Sequence, residues 1–179
     1  MDTPHTWTLR SEQPDDEAGI DTLLRRAFGG ENAANLVRNL RQAGAYDPAL
    51  SLVAHEDAPA PRIVGHVLFS PVVIVQGDAP SPAMALGPLG VMPDRQRRGI
   101  GQALVQAGLT LCRERELGIV LVVGDPGYYA RFGFTRAVDA HIEAPHASWT
   151  EAYQVLEILP GALRETRGRA RYPTPWAEA

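Results

Sequence analysis

Apolar residues along this chain repeat first at helical spacing, then at strand spacing, then as solid runs, and each change marks a new kind of element. Residues 7–10 suit a short first strand. From a cap at Asp15 or Asp16 to about Phe28, the positions Ile20, Leu23, Leu24 and Ala27 fall on one helical face, and Gly29-Gly30 breaks the pattern. Residues 31–43 predict a second helix with Ala33, Leu36, Val37 and Leu40 as its stripe. Two β-branched runs follow, 51–55 and 63–75, joined by the hairpin-type connection "EDAPAP". Pro71 marks a bend or an edge in the longer run. "QGDAPSPA" reads as a loop, and 84–91 as a strand interrupted at Gly87-Pro88.

Helical spacing returns over 99–117, with Ile100, Leu104, Ala107 and Leu111 on one face and Gly118 as the expected C-cap. The apolar run 119–123 then predicts a strand covered on both faces. Strand, helix and apolar strand within about 35 residues make a βαβ crossover. A helical turn at 128–132 and strands at 135–137 and 153–159 complete the pattern. The expectation is one α/β domain spanning 1–179, with flanking helices on a mixed, mostly antiparallel sheet.

Composition removes several function classes. The net charge of −4 argues against a general nucleic-acid binder. All 17 basic residues are Arg, which together with abundant Ala, Gly and Pro reads as codon bias rather than a need for arginine. No apolar run approaches the roughly 18 residues of a membrane span, and no signal-peptide core opens the chain, so a cytoplasmic location is expected without membrane contact. Cys112 is the only cysteine, and His5, His55, His66, His141 and His146 form no H-x-x-x-H pair, so no metal site is expected.

"LGPLGVMPDRQRRGIG" (residues 86–101) places a strand, a polar turn and a helix start in sequence. A helix start carries unpaired N–H groups and partial positive charge, and Gly99 and Gly101 admit a ligand to the main chain. With flanking arginines this makes a nest for an anion, best a diphosphate. The P-loop is excluded because Gln102 stands where it needs Lys. The dinucleotide fingerprint is excluded because Leu104 stands at its third glycine.

Gln96-Arg97-Arg98-Gly99-Ile100-Gly101 fills the pattern Q/R-x-x-G-x-G/A behind Leu89, Val91 and Pro93. In "GDPGYYARFGF", Tyr129 lies four residues before Gly133-Phe134. The two motifs, in this order of elements, resemble the GNAT superfamily of acyl-CoA-dependent N-acetyltransferases. That wording and "AYQVLEI" point within it to the bacterial YhbS-like subgroup. The resemblance implies acetyl-CoA as cosubstrate, no metal, and direct transfer of acetyl to a primary amine in a ternary complex. It places the diphosphate at Gln96, Arg97, Arg98, Gly99, Ile100 and Gly101, and pantetheine along Leu89, Gly90 and Val91. Tyr129 and Phe132 join the cofactor site. The N–H of Val91 is the expected donor to the thioester oxygen, and Tyr129 the proton donor to the leaving thiolate.

Other points stay open. The base is Glu31, Asp125, Glu151, His66 or a water chain. Trp149, Glu151 and Tyr153 either line an acceptor pocket or simply pack. The acceptor is a small-molecule or a protein amine, and a homodimer is possible. The rival functions are a non-catalytic acyl-CoA-binding or sensing module and a protein lysine or N-terminal acetyltransferase.

Overall fold

The computed structural model describes residues 7–57 and 60–178, and His5 lies outside them. The chain forms two compact units. The first takes in residues up to Leu68 together with Pro88–Gly108, and the second Phe69–Gly87 with Leu109–Ala177.

The first unit holds β1 (Trp7–Ser11), α1 (Glu17–Phe28), α2 (Asn32–Gln42) and β2 (Ser51–Glu56). It also holds the start of β3 (Arg62–Gln76), the end of β4 (Ala79–Val91) and the first turns of α3 (Ile100–Glu114). The helical stripes bury as their spacing requires: Ile20, Leu23 and Leu24 on α1, and Leu36, Val37 and Leu40 on α2. Asp16 sits just ahead of α1. Its carboxylate accepts the Gln13 N–H at 2.8 Å and an Arg10 guanidinium N–H at 2.9 Å, and the Arg10 hydrogen bond holds it below the usual carboxylate range. β2 pairs antiparallel with β1 and with β3, with a register shift between Ala54 and His55.

In the second unit, β5 (Ile119–Val123) pairs parallel with β4 over Met84–Leu86 and antiparallel with β8 (Tyr153–Glu157), which also takes β6 (Thr135–Arg136). The sheet is therefore mixed and mostly antiparallel, as the pattern predicts. Val72, Ile74, Ala85, Leu121, Tyr153 and Val155 pack in its core. Pro71 falls between the end of β3's pairing with β2, at Leu68, and the start of its pairing with β9 (Gly168–Arg171), at Val73. Proline is tolerated in a strand at such a break in pairing.

Two expectations need correction, and two strands were not expected. "QGDAPSPA" is not a loop: Gly77-Asp78 alone forms the turn, with Gly77 at φ 59°, and β4 starts at Ala79. Pro80 and Pro82 misled the reading, yet alternate prolines place both missing donors on one edge of a strand. Helix α3 stops at Glu114, and its left-handed end residue is Glu116 at φ 58°, not Gly118. The Leu117 N–H reaches Cys112 O and the Glu116 N–H reaches Arg113 O, closing the helix end. Strands β7 (Ile142–Glu143) and β9 had no sequence signal, being too short for an alternating pattern.

Candidate functional site

The loop from β4 to α3 spends its first residues on holding itself in place. Met92 N–H donates to Val64 O at 2.9 Å, Arg95 N–H closes a 3₁₀ turn onto Met92 O at 2.8 Å, and the Gln96 amide donates back to Val91 O at 3.2 Å. Arg97 then adopts φ 60° and Gly99 φ 82°, so left-handed residues flank Arg98 and turn the main chain sharply into α3. Nothing lies within 4 Å of where a Cβ on Gly99 would stand, so the space over the turn is open. Arg97 and Arg98 are exposed and pair with no described residue. Open space, a helix start and two free guanidiniums are what an anion of diphosphate size needs.

Arg95 behaves differently from its two neighbours. It is buried, with Nε 2.6 Å from Glu56 Oε1 and Nη1 2.9 Å from Asp94 Oδ2. Arg62 completes the group, reaching Asp94 at 2.9 Å and Glu56 at 3.3 Å. Burial pushes the Glu56 carboxyl up, but the Arg95 and Arg62 guanidiniums outweigh it and hold Glu56 ionised below the usual range. Sequence reading missed this group because Glu56 and Arg95 lie 39 positions apart. The only signal was an arginine cluster, and nothing in it shows which arginine turns inward.

Pairing of β4 with β5 ends at Leu86 and Gly87 follows at φ 147°, but β4 itself runs unbroken to Val91. The expected interruption at Gly87-Pro88 is thus a loss of one neighbour and not a break in the strand. Leu89 and Val91 are half-buried and Gly90 is buried. A Cβ on Gly90 would come 3.0 Å from Leu23 and Leu24 of α1, so this glycine seats the helix on the strand end.

The second motif lies in the other unit and is built from rings. Asp125 caps the short helix α4 (Pro126–Tyr129), accepting the Gly127 N–H at 2.9 Å, and a 3₁₀ turn carries the chain on through Phe132. Buried Gln154 donates to Gly124 O at 3.1 Å and fixes the approach. Tyr129 is buried with its ring 5.6 Å from Phe134 and 5.0 Å from Tyr128. Gly124 makes room for it, since a Cβ there would stand 2.5 Å from Tyr129 Cε2. The Tyr129 hydroxyl bonds to no described residue, and burial pushes its phenol well above the ordinary value. Tyr128 instead sits under Arg131, whose guanidinium is 4.7 Å from the ring centre. Phe132 is half-buried beside both tyrosines.

The four base candidates separate clearly. His66 is fully buried, accepts or donates at Ser51 Oγ 2.9 Å away, and is pushed down to about 3 by burial and by Arg41, so it stays neutral. Glu31 is paired with Arg25, and Asp125 serves as the helix cap. Glu151 is exposed and unengaged among the described residues. In the late loop, a cavity of about 340 Å³ is lined by Glu143, Thr150, Tyr153 and Arg169 among others, while Trp149 packs against His146 and Tyr172. No group of three metal-ligating side chains occurs among the described residues, and none of their helices is long and apolar enough to cross a membrane.

A family model described as "Acetyltransferase (GNAT) domain" matches residues 8–137, which include both motifs up to Gly133-Phe134. The chain belongs to the GNAT family of acetyltransferases. It is 35% identical over 164 residues to the uncharacterised N-acetyltransferase YhbS of Escherichia coli, covering 92% of this chain and 95% of that one. Among solved structures, it is similar to Escherichia coli YhbS in complex with CoA, with a TM-score of 0.89 and 33% identity across 99% of this chain and 95% of that one. A GNAT family acetyltransferase from Brucella melitensis, in complex with acetyl-CoA, matches at TM-score 0.77 and 33% identity over 96% and 99% of the two chains. The YhbS-like subgroup that the motifs resemble is the one represented by this relative from Escherichia coli.

Proposed function

We propose that residues 1–179 act as one N-acetyltransferase domain, moving an acetyl group from acetyl-CoA to a primary amine by direct transfer in a ternary complex. The observation that carries this reading is the open turn at Arg97 and Gly99 ahead of α3, with its two unpaired guanidiniums. In this reading the amides from Arg97 to Gly101 and the Gln96-to-Val91 closure form the diphosphate seat, with Ile100 anchoring the helix behind it. The strand end Leu89-Gly90-Val91, beyond the reach of β5, offers edge groups to the amides of pantetheine.

Val91 N–H polarises the thioester oxygen as the amine attacks and the C–O bond gains charge. When the C–S bond breaks, Tyr129 gives its phenolic proton to the thiolate sulfur and recovers one from solvent. The phenol carries its proton at neutral pH, burial makes it a weaker acid than a free phenol, and Phe132 and Phe134 hold the ring. Of the four candidate residues, Glu151 is the one both exposed and unengaged, and a water chain is the other route.

Thiol release from acetyl-CoA, followed with a panel of small amines, amino acids and lysine peptides, tests the reading. Amine-dependent release establishes the enzyme and its acceptor class. Tight CoA binding with no release by any amine favours the sensing module.

A further inference from the structure

We propose that the four-charge group Glu56, Arg62, Asp94 and Arg95 is a positioning device that holds the β4–α3 turn in its diphosphate-receptive shape. The group lies directly before the two left-handed residues. Asp94 and Arg95 belong to the 3₁₀ turn Pro93–Arg95, while Glu56 ends β2 and Arg62 begins β3. Both side chains of the turn are thus clamped to the sheet, at 2.6–2.9 Å, one residue before the receptive main chain starts. Two positive and two negative charges cancel, so the group adds no net field of its own. The anion meets only Arg97 and Arg98.

Clamping matters because a free turn must be ordered when the ligand arrives, and that ordering weakens binding. A buried ion pair adds little net stability over apolar residues of like volume, but it admits one geometry only. Glu56, only 1% exposed, and Arg95 fit that role better than they fit a stabilising one. An arginine placed among ligand-facing arginines would otherwise point outward with them.

The device has a purpose only if the turn takes a diphosphate, as proposed above. Calorimetry with CoA on the whole chain tests both. Glu56→Gln and Arg95→Leu should raise the Kd for CoA about tenfold, the scale on which residues behind a ligand site act, with binding stoichiometry unchanged. A role in folding alone would lower the stoichiometry and leave Kd where it was, which overturns the proposal. Since a lone buried charge can prevent folding, the double variant Glu56→Leu with Arg95→Leu removes both charges together. It should fold, and should still bind CoA about tenfold more weakly because the turn is unclamped. Wild-type Kd in that variant also overturns the device. Gly99→Val separates the two readings. If it loses CoA while the clamp variants bind normally, the seat is real and the clamp is not. If Gly99→Val itself binds normally, the diphosphate reading fails and the device falls with it.

Discussion

The turn at Gln96–Gly101 and the element at Gly124–Phe134 solve opposite problems. The turn presents main chain, so its quality depends on what is absent: a Cβ at residue 99, a partner for Arg97 and Arg98, and any atom in the space above. The aromatic element presents one hydroxyl, so it depends on what is present. Four rings, a capping Asp125 and a glycine under Tyr129 leave the phenol one position. The first should fail by losing affinity, and the second by losing rate.

Tyr129→Phe breaks the comparison most sharply if it is wrong. The ring stays packed on Phe134, so the variant should fold and bind acetyl-CoA nearly as wild type. Its kcat should fall by about 10²–10⁴, the range for a positioned general acid. A matching fall in kcat/KM places the loss in the transition state. Because burial raises the Tyr129 pKa, any alkaline loss of rate due to its ionisation should lie above the ordinary phenol value. Tyr128→Phe, with its ring under Arg131, should be far milder. Wild-type turnover by Tyr129→Phe would leave proton delivery to solvent.

Gly99→Val should act the other way, on affinity. A β-branched residue at φ 82° is strained, and its side chain would occupy the open space over the turn. Calorimetry should show CoA binding weakened by at least about tenfold. Near-normal kcat at saturating acetyl-CoA would confirm that the turn serves binding alone. Gly101→Val, in the first turn of α3, should weaken binding in the same sense.

How far each region was legible follows from what built it. The turn's function was readable because glycine spacing and a helix start are local facts, carried by six adjacent residues. The strand–helix–strand crossover was readable for the same reason, from uninterrupted periodicity. The floor beneath the turn was not, since Glu56 meets Arg95 only after β2, β3 and β4 have assembled. Pro80 and Pro82 hid the start of β4, because proline signals a loop unless one knows that its edge goes unpaired. In the aromatic element, the spacing of Tyr129 before Gly133-Phe134 was visible. Its burial, and the resulting rise in pKa, was not.

The floor also differs between the regions in its response to acid. Glu56, Asp94 and Asp16 all have folded pKa values below their ordinary ones. Their contribution to stability is full above the unfolded carboxylate pKa and is lost as pH falls through the folded values. All three lie in the first unit, whereas the aromatic element is held chiefly by contacts between its rings. Amide exchange measured while pH is lowered from neutral through the carboxylate range should therefore show residues 92–99 loosening before residues 125–134. Glu56→Gln should shrink the difference, and simultaneous loosening of both in wild type would contradict the distinction.

The smallest expected effect concerns the two exposed arginines. Arg97→Ala and Arg98→Ala leave the main-chain seat intact and remove only long side chains in water, whose phosphate contacts are weakened by their own mobility and by salt. Each should raise the KM for acetyl-CoA by only about two- to fivefold at low ionic strength, in keeping with the modest worth of exposed charge pairs. The difference from wild type should fade as salt rises toward physiological strength, where the screening length is about 8 Å. Arg113→Ala, near the far end of α3, is the control and should change little at any salt. If Arg113→Ala matches the other two, the effect belongs to overall charge and not to the turn. If Arg97→Ala and Arg98→Ala lose affinity equally at all salt concentrations, their side chains hold the turn's shape, and the contrast between inward Arg95 and outward Arg97 and Arg98 disappears.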